Sequence, residues 1–189
     1  MLKCYLIRHS KTYGNTLQRY IGITDEPLCQ EGIDLLKGRQ YPECEKIFVS
    51  PLKRCRETAE IIYPGKEMAV VQKLAECDFG EFENKNYVEL SGNPEYQKWI
   101  NSNGMLPFPN GESRAGFQKR CVEGFLEAVD ICIKEGISCT SFIVHGGTIM
   151  SIMEEFARPH KDYYQWQLKN GEGFLLMMDD NIEVNFQKL

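Results

Sequence analysis

Three apolar runs in this chain each end on a polar cluster that opens the next helical pattern, and this repeated junction restricts the fold more than any other feature. Residues 2–8, LKCYLIR, form a short run rich in branched and aromatic side chains, suited to a buried strand. KIFVS at 46–50 and SFIVH at 141–145 have the same character. The second run leads straight into a helix: Ser50 is a good N-cap, Pro51 takes the first helical position, and Leu52, Cys55, Ala59 and Ile62 follow at helical spacing. Directly after the third, Ile149, Ile152, Met153 and Phe156 form an i, i+3, i+4, i+7 stripe. A longer helix is predicted from Ser113 to about Lys134, with Phe117, Cys121, Phe125, Val129 and Cys132 facing inward. The chain closes with two strand-like runs around an Asp-Asn turn. Strands alternating with helices predict an α/β protein of three layers: a mostly parallel central sheet, helices on both faces, and a C-terminal antiparallel edge or hairpin.

The 189 residues make about one domain, and no repeat, low-complexity tract or linker divides them, so a single domain over 1–189 is expected. Within it, 84–110 stands apart as a polar segment with Pro94, Pro107, Pro109, Gly92 and Gly104 around Tyr87, Tyr96 and Trp99. It reads as a lid over a site or an insertion on its rim. The net charge of 22 − 27 = −5 disfavours nucleic acid and anionic membranes as partners. There is no secretory leader pattern and no apolar run long enough to span a bilayer. Eight cysteines without a Cys-x-x-Cys pair suit reduced thiols in a cytoplasm. A multi-histidine metal site would use nearly all of His9, His145 and His160, so neither metal nor other cofactor is expected. His160, between Pro159 and Lys161, is expected at the surface. Oligomeric state is not legible.

In open α/β sheets, ligands collect where strands end and helices begin. At those points stand Arg8-His9-Ser10, then Ser50 to Arg54, then His145-Gly146-Gly147-Thr148. One histidine at a strand end is more often structural than catalytic, and Arg54 in a first helical turn opposes the helix dipole unless an anion is present. Two histidines and two arginines at one sheet edge have the composition of a phosphate pocket, with arginine forks donating paired charge-assisted hydrogen bonds and Gly146 letting backbone come close. Other phosphate chemistries lack their motifs here: no Walker loop, no G-x-G-x-x-G, no Cys-x5-Arg, no Asp-x-Asp. Neither G-x-S-x-G nor His-Glu-x-x-His occurs. Histidine remains as the nucleophile.

Leu6-Ile7-Arg8-His9-Ser10-Lys11-Thr12 with Asn15 resembles the opening motif of the histidine phosphatases, the phosphoglycerate mutase-like superfamily. Tyr20-x-Gly22-x-Thr24-Asp25-x-Pro27-Leu28, Ser50-Pro51-Leu52-x-Arg54, Leu74-x-Glu76-x-Asp78-Phe79-Gly80, Gly111-Glu112-Ser113 and Val144-His145-Gly146-Gly147-Thr148 follow in the family's order, over nearly the whole chain. The resemblance implies that His9 attacks phosphorus and carries a phosphohistidine. It implies that Arg8, Arg54 and His145 hold the phosphoryl oxygens, with Asn15 as a neutral donor. It makes Glu76 the proton donor to the leaving group, while Glu81 and Glu83 read as loop carboxylates. Ser10 stands where the family has glycine and Lys11 where it has glutamate. Ser10 is expected to narrow the pocket, alter the turn, or add a hydroxyl to the phosphate shell.

The stretches around Tyr20 and Asp78 are more similar to α-ribazole and broad-range sugar-phosphate phosphatases than to mutases. The leading expectation is therefore a metal-independent phosphomonoesterase on a small-molecule phosphomonoester, α-ribazole 5'-phosphate or a sugar phosphate. A cofactor-dependent phosphoglycerate mutase is the first alternative, and a non-catalytic phospholigand-binding module, suggested by Ser10, the second. Tyr87, Tyr96, Trp99 and Phe108 are read either as an aromatic wall for a nucleoside-like group or as packing.

Overall fold

The computed structural model describes residues 1–178 and 185–188. In chain order the elements are β1 (Leu2–Arg8), α1 (Tyr13–Thr16), α2 (Gln30–Lys37), β2 (Lys46–Val49), α3 (Lys53–Ile62), β3 (Met68–Val70), α4 (Pro94–Asn101), α5 (Arg114–Glu135), β4 (Cys139–Val144), α6 (Gly146–Phe156), β5 (Gly173–Met178) and β6 (Asn185–Lys188). The strands form one sheet in the order β3-β2-β4-β1-β5-β6. The first four run parallel, while β5 lies antiparallel to β1 and β6 antiparallel to β5. The expected antiparallel C-terminal edge is therefore present; the Asp-Asn turn expected between its strands lies outside the described residues.

Strand residues alternate between two buried faces, which is why the sequence runs look continuously apolar. Cys4, Leu6, Phe48, Phe142 and Val144 face α5 and α6, where Phe125, Val129, Ile149 and Met153 meet them. Ile7, Ile47, Val49 and Ile143 face the other way, onto Cys55, Ala59 and Tyr63 of and beside α3. The result is the expected three-layer α/β/α arrangement. Helix α5 starts where predicted: the Ser113 hydroxyl accepts from the Gly116 amide at 3.1 Å, and Gly136 at φ +70° ends it.

The junction after β2 differs from its expectation. Helix α3 begins at Lys53 with Leu52 as its N-cap, and Ser50 serves another partner described below. Three further elements were not expected from the sequence, the first being the four-residue α1, capped by Thr12. β3 has three residues, too few for a period, and α2 starts at Gln30 behind Cys29, which offers no side-chain cap, and buries only Gly32 and Leu36. The 84–110 segment carries α4, capped by Asn93 with Pro94 in the first turn. Its Leu90, Tyr96, Trp99 and Phe108 form a third apolar cluster with Phe82 and with Phe117 and Cys121 of α5. Among the described residues, no helix is long and apolar enough to cross a membrane.

Candidate active site

The carboxyl end of β1 delivers Arg8 and His9 to the base of a cleft of about 390 Å3. His9 is fixed through its backbone on both sides. Its amide donates to Val144 O of β4 at 2.9 Å, and its carbonyl accepts from Asn170 Nδ2 at 3.0 Å. The imidazole Nδ1 lies 2.7 Å from Ser10 O. A carbonyl can only accept, so Nδ1 carries the proton and Nε2 keeps its lone pair. Burial and the charges of Arg54 and Arg8 hold the His9 pKa well below that of a free imidazole. The ring is therefore neutral and nucleophilic at Nε2.

His145 is the N-cap of α6, fully buried, with its ring centroid 5.1 Å from that of His9. Its Nε2 is 2.6 Å from the Ser50 hydroxyl, so the residue expected to cap α3 orients this imidazole instead. Burial, and then Arg54, lower the His145 pKa as well. Arg54 is fully buried in the first turns of α3. Its Nη1 donates to Thr24 O at 2.8 Å and its Nη2 to Gly22 O at 2.8 Å and Ile21 O at 3.2 Å, which anchors the 21–24 loop. Arg8 donates through Nη1 to Leu168 O. Both guanidinium groups leave a buried Nε without a protein partner. Two buried, charged, unsatisfied donors beside His9 need an acceptor, and an oxyanion supplies one.

Glu76 follows a 3₁₀ turn at Gln72–Leu74 and is buried at 7% exposure. Its Oε1 accepts from the Cys77 amide at 3.0 Å and its Oε2 from the Gly147 amide at 3.2 Å. Burial raises its pKa, against the pull of the Cys77 amide, Arg54, the Gly147 amide and Arg8. The approach of α6 requires glycine at 147. A Cβ there would lie 2.4 Å from Glu76 Oε1 and 2.9 Å from the Phe117 ring.

Arg120 of α5 was not singled out in the sequence, yet it holds the loop that carries Glu76. Its Nη1 donates to Lys73 O at 2.9 Å and Ala75 O at 2.7 Å, and its Nη2 to Glu76 O at 2.9 Å. Nε and Nη2 also grip Glu112 as a bidentate pair, each at 2.7 Å, and Glu112 Oε2 accepts from the Asp78 amide at 2.9 Å. No local signal marks this arrangement, because its parts come from three separate segments.

Of the residues expected at the site, Arg8, His9, Asn15, Glu76 and Gly146 line the cleft, while Arg54 and His145 are fully buried off its surface, His145 with its ring beside that of His9. Asn15 Oδ1 accepts from the Thr12 amide and from Asn170 Nδ2, each at 3.2 Å, which leaves its own amide hydrogens for the cleft. Ser10 is fully buried and does not reach the cleft surface. Its hydroxyl donates to Gly32 O at 2.7 Å and its amide to Thr58 Oγ1 at 3.0 Å. Lys11 pairs with Glu31 at the surface. Residues 10 and 11 thus dock the start of α2 onto the strand end. Glu83 ties loops together, accepting from the amides of Gly22, Ile23 and Phe79, and Glu81 accepts from Asn110. Tyr87, Trp99 and Phe108 line the cleft; Tyr96 lies behind, its hydroxyl 3.2 Å from that of Tyr20. His160 is exposed. Among the described residues, no group of three or more His, Cys, Asp or Glu is placed to hold a metal ion.

Comparison with known proteins agrees with this geometry. The family model of the histidine phosphatase superfamily (branch 1) matches residues 4–182. The chain is 31% identical to the protein named phosphoserine phosphatase 1 of Hydrogenobacter thermophilus over 137 residues, which cover 68% of this chain and 64% of that one. The crystal structure of a phosphoglycerate mutase from Thermus thermophilus is similar with a TM-score of 0.76 at 26% identity, covering 100% of this chain and 98% of that one. That of the α-ribazole phosphatase from Shigella flexneri shares the fold with a TM-score of 0.83 at 20% identity, covering 100% and 96%. A buried histidine pair flanked by two arginines at one sheet edge, and a family match from Cys4 almost to the C-terminus, lead to one conclusion: the chain belongs to the histidine phosphatase superfamily, branch 1.

Proposed function

We propose that the protein is a phosphomonoesterase acting on small phosphorylated metabolites through a phosphohistidine on His9, without a metal ion. The observation that carries this reading is the pair of buried, partnerless Nε atoms of Arg8 and Arg54 beside an imidazole whose Nε2 is free. The substrate phosphoryl oxygens take Arg8 on the cleft wall, with the side-chain amide of Asn15 and the amide of Gly146 as neutral supplements, while Arg54 adds positive charge from its buried position. His145, oriented by Ser50, faces the transferred group from behind His9.

In the first step the Nε2 lone pair forms a bond to phosphorus while the ester P–O bond breaks. Glu76, whose pKa burial raises, gives its proton to the departing alkoxide. In the second step water attacks phosphorus and the P–N bond breaks. The Glu76 carboxylate takes the water's proton, and His9 returns to neutral with inorganic phosphate released. The arginines supply the positive charge that a metal ion supplies in other phosphatases. The eight free thiols fit a reducing cytoplasm.

The test is phosphate release from a panel of phosphomonoesters in EDTA. Wild-type protein is expected to turn over, and His9→Ala to lose on the order of 10³-fold or more. Acid-labile phosphate trapped on His9 after a rapid quench is the direct signature. Interconversion of 2- and 3-phosphoglycerate that needs a bisphosphate primer would make the chain a mutase, and phosphate binding without turnover would make it a binding module.

A further inference from the structure

We infer that the alcohol released from this cleft is uncharged and largely apolar, an aryl-bearing or long alkyl group, and not a small acid or amino acid. This rests on the phosphatase reading of the same site. The cleft volume of about 390 Å3 lies in the range that takes drug-sized ligands, larger than a phosphoryl group on a three-carbon chain requires. Beyond the phosphate end its apolar walls are Phe79, Trp99, Phe108, Phe117, Met150 and Tyr163, interrupted by the polar side chains of Gln18, Tyr20 and Gln167. At the mouth Tyr87 and Tyr164 remain 60% and 47% exposed. Val88, next to Tyr87, and Met105 and Leu106, next to the cleft residue Gly104, are exposed as well, which continues the apolar lining onto the rim.

The charged residues of the outer cleft do not suit an acidic or zwitterionic leaving group. Arg19 is paired with Glu89 at 2.9 Å. Arg114 is paired with Glu154 at 3.2 Å and lies over the Tyr163 ring at 4.2 Å. Each of these charges is offset by its glutamate partner, although each arginine, like Arg8 and Arg54, keeps one buried Nε without a protein partner. Among the described residues Glu76 is the one carboxylate on the cleft wall, and its proton is committed to the scissile bond. A substrate ammonium thus has no counter-charge there. Unpaired charges against such walls are penalised, and apolar surface is rewarded.

The experiment compares alkyl phosphomonoesters whose leaving groups need similar protonation: 2-(1-naphthyl)ethyl phosphate, n-octyl phosphate, ethyl phosphate, O-phosphoserine and 3-phosphoglycerate. The naphthylethyl or the octyl ester should exceed ethyl phosphate by about 100-fold in kcat/KM, the gain expected from burying on the order of 100 Å2 of apolar surface. Phosphoserine and 3-phosphoglycerate should do no better than ethyl phosphate. Which of the two large esters leads tells aryl from alkyl. Trp99→Ala should shrink the ratio of naphthylethyl to ethyl turnover about tenfold. Tyr87→Ser, at an exposed position that does not endanger folding, should shrink it about threefold. Equal or better use of the two small acids overturns the inference and leaves the phosphatase reading standing. If no ester is hydrolysed, the phosphatase reading falls. Binding to His9→Ala, followed by tryptophan fluorescence, then decides: tighter binding of the large apolar esters supports the inference, and equal or tighter binding of the small acids overturns it.

Discussion

Two imidazoles and one carboxyl at the base of the cleft are each pushed toward their neutral forms, and the pH dependence of turnover follows from that. On the proposed mechanism His9 must be neutral to attack, and its depressed pKa keeps Nε2 available well below the pH at which a free imidazole protonates. The same mechanism requires Glu76 to be protonated at the first step, and its raised pKa extends that state upward from the ordinary carboxylate range. For an alkyl ester, turnover should therefore hold on the acid side and fall as pH rises through the Glu76 pKa. A kcat profile from pH 4 to 9 checks this; a rise through that range instead would remove Glu76 as the acid. Glu76→Gln is expected to cost alkyl esters roughly 10²-fold or more and aryl esters far less, because an aryl oxide leaves without much protonation. Side-by-side kcat values for one ester of each kind read the difference, and equal losses would assign the proton to another group.

Helix α6 and the Glu76 loop meet at a contact with no slack. Gly147→Ala puts a methyl 2.4 Å from Glu76 Oε1, so the carboxyl must move. A displacement of about 1 Å costs on the order of 10²-fold in rate. Crystallography of the variant would show whether the carboxyl has shifted; a full-speed enzyme would show that its placement is loose. Arg120 works at the same scale, and Arg120→Lys keeps the charge while giving up the fork that grips Glu112 and three carbonyls. If the clamp positions Glu76, the loss falls on kcat for alkyl esters more than for aryl esters, with KM little changed. A uniform loss on both would mark a purely structural role.

These elements also show what sequence reveals. β1, β2 and β4 were legible because both faces are buried, and His9, Arg54 and His145 because each falls at a strand-to-helix junction. Arg120 with Glu112, Asn170 with His9, and Ser50 with His145 were not, since each pair joins positions that no local pattern links. Ser50 shows the limit plainly: its local context matches a helix cap, and only the fold reveals that its hydroxyl serves a ring 95 positions away.

For the molecule as a whole, the buried histidines tie stability to pH. Both have folded-state pKa values below that of the unfolded chain, near 6.5. Above that value neither state binds the protons, and the full stability is present. As pH falls below it, the unfolded chain takes protons that the fold refuses, at up to about 1.4 kcal/mol per pH unit for each histidine. Glu76 has the opposite sign: its raised pKa favours the fold below the ordinary carboxylate value, and that benefit is lost as pH rises through the raised one. Between pH 6.5 and 5 the histidine effect should dominate. Thermal melts of wild type and His145→Asn across that window should show the steeper decline in wild type; identical slopes would mean that His145 titrates alike in both states.

Strand β1 holds the centre of the sheet, with Lys3 paired to Cys139 on one side and to Met177 on the other. On the ribosome β1 therefore emerges before β4 and β5, the strands that flank it. At about 5–20 residues per second, His9 spends on the order of ten seconds or more without the carbonyl of Val144 or the side chain of Asn170 to hold it. The proposed nucleophile is thus translated 135 residues ahead of Val144 and 161 ahead of Asn170, and it is held in place only after both have followed it.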